Sequence, residues 1–316
     1  MKKTKIYAVV GPTASGKTAL SVELAKILNG EIISCDSMQI YKGMDIGTAK
    51  VTEEEMQGVP HHLIDIVSPE SEFSCAEYSA LAKEKIDEIA SRGKTPIFCG
   101  GTGLYLDSVL SATAFSEAGK DEEYRAFLEN KSVDELHAML TECDPEAAAA
   151  IHKNNVKRVI RALEIFKVTG ISKTEWDRRS RLAETPYDST VIGLNFRNRE
   201  TLYERINRRV DIMVECGLLS EVEGLDTPAF RVSTSSDGIG YKEILSFKDG
   251  FCTLDEAIEE IKKASRNYAK RQLTWFARNK SIHWIYVDDC PEGEDKFKFI
   301  VNSSINILNN KENMLY

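Results

Sequence analysis

Six short apolar runs punctuate the chain, at residues 6–10, 31–35, 60–67, 95–99, 190–194 and 282–287, and each is of strand length. Between the early runs apolar residues recur at helical spacing: Leu20, Leu24, Ile27 and Leu28 after the first, then Ala76, Ala80, Leu81, Ile86 and Ile89 over 74–90. Strands alternating with helices over the first 110 residues predict a parallel sheet covered by helices on both faces. From 112 to 185 the strand pattern disappears. Helices are expected at 121–130, 132–142, 145–152 and 155–169, the second opened by a capping box at Ser132 and Glu135 and the last stopped by Gly170. Strand character returns at 190, followed by helices over 199–215 and 254–278 and a final strand. The predicted fold class is therefore α/β: a parallel sheet core (1–111 and 186–290) interrupted by an all-helical insertion (112–185), with a polar tail at 291–316.

The first strand runs into Gly11, Pro12, Thr13, Ala14, Ser15, Gly16, Lys17 and Thr18, and a helix follows at once. Strand, glycine loop and helix make this a phosphate-binding loop, and the core P-loop NTPase-like. Successive backbone N–H groups at a helix N-terminus cradle phosphate oxygens, Lys17 adds a point charge, and the Thr18 hydroxyl can reach a bound Mg²⁺. Such a loop takes linked phosphates without saying whether a phosphoryl group moves or a diphosphate leaves.

In parallel sheets ligands sit beyond the carboxyl ends of the strands, where this loop, Asp36 and residues 100–103 converge. Asp36 has two readings: a base that deprotonates a nucleophile, or an Asx turn over Ser37 and Met38. Thr102, between Gly101 and Gly103, lies where backbone can approach a ligand, or where strand and helix merely pack closely. Arg205 and Arg209, one turn apart, are alternatives for a second cation on the phosphates. Asp65 is expected mid-strand in a structural role, and His61 and His62 in packing or capping.

The net charge of −9 hides an asymmetry. Residues 151–181 hold nine Lys or Arg against three acids, and 261–280 hold seven with no acid, which in an acidic protein points to a localised footprint for a polyanion; solvated helix faces are the alternative. Seven scattered cysteines without a C-x-x-C pair argue for reduced thiols. No run approaches the ~20 apolar residues of a membrane span, so a cytoplasmic enzyme without membrane or obligate protein partner is expected.

Together these motifs resemble the tRNA dimethylallyltransferases, over about residues 5–285. The matching segments are the phosphate loop, residues 36–50, His61 to Asp65, Gly100 to Tyr105, Asp144-Pro-Glu, Arg158 to Glu164, Gly240 to Glu243 and Tyr268 to Phe276. The departures, Val51 and Ala277, fall where the family often shows Pro and Arg. The resemblance implies transfer of a dimethylallyl group from dimethylallyl diphosphate to the exocyclic amine of the adenine 3′ of the anticodon in tRNA. It implies Lys17 on the diphosphate, Thr18 on Mg²⁺, Asp36 as general base, Thr102 as a substrate contact and Arg209 on the diphosphate. It implies tRNA contacts at Asp36, Ser37, Met38, Gln39, Thr102 and Arg125, and at Lys157, Arg158, Val159, Ile160 and Arg161 gripping the anticodon arm.

The chemistry is coherent. An adenine amine is a poor nucleophile, so losing its proton as the bond forms helps, and cations on the departing diphosphate lower the barrier. Water must be excluded and the base must leave its stack to reach the allyl group. A small-molecule P-loop kinase or an adenylate isopentenyltransferase would use a similar loop but has no need of a basic helical insertion. A non-enzymatic RNA-binding module would leave Lys17, Thr18 and Asp36 without a task.

Overall fold

The computed structural model describes residues 3–110, 121–182 and 184–313. The expected start of the insertion, at 112, lies outside the described residues, as does the side chain of Arg181. Six strands, β1 (Thr4–Val10), β2 (Gly30–Ser34), β3 (His61–His62), β4 (Thr95–Gly100), β5 (Tyr187–Asn195) and β6 (His283–Tyr286), form one sheet in the order β3-β2-β4-β1-β5-β6. Every pairing is parallel, as the alternating pattern predicts.

The order decides the site. β4 lies between β2 and β1, so the loops leaving the carboxyl ends of these three strands are neighbours. The register carries Val10 opposite Gly100 and Ser34 opposite Cys99. Beyond it, Cys35 N–H donates to the Cys99 carbonyl at 2.7 Å and Thr102 N–H to the Cys35 carbonyl at 3.0 Å.

Two compact units partition the chain: one of residues up to Ser74, Leu81–Leu106 and from Tyr187 onward, the other of Cys75–Ala80 and Asp107–Pro186. In the first, Val9, Leu20, Leu24, Ile32, Ile97, Ile192, Ile206 and Leu273 bury together around the sheet. In the second, helices Glu122–Glu129, Val133–Cys143, Pro145–Ala150 and Val156–Thr169 close on Leu128, Leu136, Leu140, Val159 and Leu163, and a fifth helix, Lys173–Leu182, follows. Asp144 explains the Asp-Pro-Glu segment: it caps Ala147 N–H at 3.0 Å and accepts from Thr174 N–H and hydroxyl at 2.8 Å each, tying two helices.

Two elements differ from expectation. The run at 60–67 forms only the two residues of β3, because Leu63 (φ 61°) and Asp65 (φ 56°) are left-handed and end the extended backbone. Asp65 is thus not mid-strand; its carboxylate meets Lys50, whose ammonium also binds Asp45 at 2.5 Å and the Tyr41 carbonyl at 2.9 Å. The polar tail holds a helix, Lys296–Asn313, that buries Ile300 and Leu308 in the sheet's core. Ile300, Ser304 and Leu308 recur every four residues, a stripe diluted by the Lys and Asn around it.

Candidate functional site

Past β1 the chain can turn back on itself only because Gly11 (φ 143°) has no side chain: a Cβ there would stand 2.4 Å from the Leu194 carbonyl oxygen of β5. Ala14 and Gly16 are also left-handed, and no side chain caps the N-terminus of helix Lys17–Ile27. Lys17 Nζ folds back to the Pro12 carbonyl at 2.7 Å. Burial lowers its pKa to about 8, with Cys99 and Asp36 opposing the shift and Arg209 adding to it.

Asp36 forms the Asx turn and keeps its second oxygen open. Its Oδ1 accepts from the N–H groups of Met38 (2.9 Å) and Gln39 (3.4 Å), an Asx turn that fixes the carboxylate. Its Oδ2 takes no hydrogen bond among the described residues. Thr102 Oγ1 accepts from Ser37 N–H at 3.0 Å and lies 3.3 Å from the Ser37 hydroxyl, so it holds the turn that carries Asp36.

The two arginines separate. Arg205 Nε donates to the Ala14 carbonyl at 2.9 Å and braces the loop from outside. Arg209 lines the cavity; its Nη2 donates to the Thr48 carbonyl at 3.4 Å, while its buried Nε has no partner among the described residues, as is true of Ser15 Oγ. Buried polar atoms are ordinarily satisfied, so unpartnered donors beside a phosphate cradle are what an anion completes. Burial works against the Arg209 charge and Asp36 supports it.

Lys17, Asp36 and Arg209 share one cavity of about 300 Å³, lined also by Thr13, Thr18, Ser37 to Gln39, Gly100, Gly101, Tyr268, Arg271 and Gln272, whereas Thr102 is not among the lining residues. Its apolar lining comes from Met38, Ile206, Val210, Met213, Ile239 and Ile261. Among the described residues no group of three or more His, Cys, Asp or Glu could hold a metal. A divalent ion here would rest on the Thr18 hydroxyl and on phosphate oxygens, the manner in which Mg²⁺ binds alongside a substrate.

Three contributors are not singled out as site residues by the sequence. Glu221 accepts from the N–H groups of Asp45 (2.9 Å), Ile46 (2.6 Å) and Gly47 (3.0 Å) and from the Tyr241 hydroxyl (2.6 Å). It pins the backbone whose Thr48 and Ala49 carbonyls hold Arg209 and the Gln39 amide. Tyr268 and Gln272 enter the cavity from helix Leu254–Phe276. Their spacing, at i and i+4, was visible, but not what they face.

The basic segments divide as well. In the helical unit Lys157 and Arg158 are exposed, Val159 and Ile160 are buried in that unit's core, and Arg125 clasps Glu164 through two 2.7 Å bonds, with Arg161 3.5 Å from the same carboxylate. In the second block Lys262 pairs with Asp211 and Glu259, Lys263 with Glu260, and Arg266 with Asn207. His61 Nδ1 faces the Val59 carbonyl and His62 pairs with Glu31. Among the described residues none of the seven cysteines forms a disulfide.

The model of the IPP transferase family matches residues 39–280. A tRNA dimethylallyltransferase of Bacillus subtilis (strain 168) is 53% identical over 286 residues, 89% of this chain and 90% of that protein. One from Caldanaerobacter subterraneus subsp. tengcongensis is 49% identical over 90% of this chain and 92% of its own. The crystal structure of the full-length tRNA isopentenylpyrophosphate transferase from Bacillus halodurans aligns with a TM-score of 0.73 at 48% identity, covering 99% of both chains. A eukaryotic dimethylallyltransferase acting on tRNA aligns with a TM-score of 0.83 at 30% identity, over 97% of this chain and 80% of that one.

Proposed function

The chain belongs to the IPP transferase family, and on that premise we propose that it transfers a dimethylallyl group from dimethylallyl diphosphate to the exocyclic N6 amine of the adenine 3′ of the anticodon in tRNA, releasing diphosphate. The observation that carries this reading is the free Oδ2 of Asp36 in the same cavity as Lys17, Arg209 and an apolar wall. That wall suits a five-carbon allyl group beside the diphosphate.

The bond that breaks joins the allylic carbon to a diphosphate oxygen, and the bond that forms joins that carbon to the adenine nitrogen. As the diphosphate leaves with its electron pair, negative charge grows on it, and the loop N–H groups, Lys17 and Arg209 stabilise that charge. The amine proton passes to Asp36 Oδ2, the oxygen left open when the Asx turn occupies Oδ1. Met38, Val210, Met213 and Ile239 surround the allyl group and keep water from the cation-like carbon. Mg²⁺ fits the donor set of Thr18 and phosphate oxygens, and when bound it supplies positive charge to the leaving group. Lys157 and Arg158 engage phosphates of the anticodon arm, and Arg125 and Arg161, both held on Glu164, add to that contact. The enzyme works in the cytoplasm, where its tRNA substrate is.

Radiolabelled dimethylallyl diphosphate incubated with the protein, Mg²⁺ and unmodified tRNA should place label in the tRNA, and Asp36→Asn, which keeps the turn acceptor but not the base, should abolish most transfer while preserving tRNA affinity. Label entering AMP, or ATP turnover without tRNA, would overturn the reading in favour of an adenylate isopentenyltransferase or a kinase.

A further inference from the structure

We propose that Gln272 is a positioning residue that sets the separation between the diphosphate cradle and the acceptor side of the site. It projects from helix Leu254–Phe276 and is 5% exposed. Its Oε1 accepts from Thr13 N–H at 2.8 Å, and its Nε2 donates to the Gly101 carbonyl at 3.1 Å. Thr13 belongs to the phosphate loop after β1, and Gly101 to the turn after β4. The strand register between β1 and β4 ends at Val10 and Gly100, so beyond it the buried amide bridges the two loops.

What lies on the far side of that bridge gives it a role in the reaction. Gly101 precedes Thr102, whose hydroxyl accepts from Ser37 N–H, and Ser37 follows Asp36. One continuous line of interactions therefore runs from the loop that holds the leaving group, through Gln272, to the carboxylate that takes the proton. A carboxamide suits the position because it accepts from an N–H and donates to a carbonyl without placing charge beside a diphosphate. The backbone makes room for it: a Cβ on Gly101 would fall 2.0 Å from Gln272 Nε2. Each half of the site can hold its own substrate without the amide. What the amide fixes is the distance between the allylic carbon and the amine, and a displacement of about 1 Å in such a distance costs about a hundredfold in rate.

This inference rests on the prenyl-transfer reading, and the experiment separates the two. Steady-state kinetics of the full-length protein are compared with Gln272→Met, Gln272→Glu and Gly101→Ala, varying dimethylallyl diphosphate and tRNA in turn. The expected result is a kcat lower by about ten- to a hundredfold in all three, with either KM changed by less than about threefold, the pattern of impaired alignment rather than impaired binding. In Gln272→Glu, kcat relative to the parent should recover as the pH falls, because a protonated carboxyl again accepts from Thr13 and donates to Gly101. A kcat within twofold of the parent in Gln272→Met, or a defect confined to the donor KM, would overturn the positioning role. If Gln272→Met does not fold, the pH profile of Gln272→Glu decides, and a flat relative profile overturns it. An unaltered protein that transfers no prenyl group would instead bring down the functional reading.

Discussion

Lys17 shows how one residue reports on the state of the site. Burial lowers its pKa to about 8, against an ordinary lysine value near 10.5. Diphosphate binding returns an anion to the ammonium and raises that pKa, so binding takes up a proton at pH values above about 8. The sign follows: donor affinity is full below pH 8 and declines as the pH rises through it, because the free protein must first reprotonate Lys17. The apparent Kd for dimethylallyl diphosphate, measured from pH 7 to pH 10, should weaken progressively above pH 8, and Lys17→Arg should flatten that limb. A Kd independent of pH across this range would mean that Lys17 stays charged in the free protein. Asp36 makes a complementary point: its turn-forming oxygen and its open oxygen belong to one carboxylate, so the local structural role leaves an oxygen available for the proposed chemical one.

At the scale of elements, one part of the cavity lining, residues 47–49, belongs to a segment outside the regular helices and strands. Residues 45–49 hold their shape because Glu221, on helix Leu218–Leu225, gathers three successive N–H groups and the buried Tyr241 hydroxyl. Burial, and then the carboxylate beside it, push the Tyr241 phenol well above its ordinary range. Hydrogen bonds to a charged group are the strong ones, so Glu221→Ala should lower unfolding free energy by about 2 kcal/mol and raise amide exchange across 45–49. Tyr241→Phe removes one of the four bonds and should cost about 1 kcal/mol. Denaturant titration with native-state hydrogen exchange measures both. Equal protection at 45–49 in Glu221→Ala and parent would show that the segment is held by other interactions.

At the scale of the whole molecule, charge along the chain and charge in space are different quantities. The acid-free block at 261–280 keeps less free charge than its composition implies, since Lys262 and Lys263 meet acids three residues earlier on the same helix, just outside the counted window, and Lys262 also meets Asp211 on another. Lys157 and Arg158 are exposed instead. Replacing both with glutamine should weaken tRNA binding uniformly across sequences and lower the salt slope of log K by about one for each phosphate no longer neutralised. Filter binding over a range of salt concentrations checks it; an unchanged slope would place the electrostatic grip elsewhere. Among the described residues no helix is long and apolar enough to cross a membrane.

By itself the sequence determined the alternation of strands and helices, the helical character of 121–169 and the phosphate loop. Each of these is encoded within a few residues, by period, by capping chemistry, or by glycine where φ must be positive. Only the tertiary structure decided that β4 stands between β1 and β2, which brings three loop ends together, and that Arg209 faces the cavity while Arg205 braces Ala14. The same holds for Glu221 and Gln272, whose backbone partners lie 174 to 176 and 171 to 259 residues away along the chain. Pairings at such separation leave no local pattern, because the free energy that selects them comes from burying the whole sheet and not from the residues that flank them.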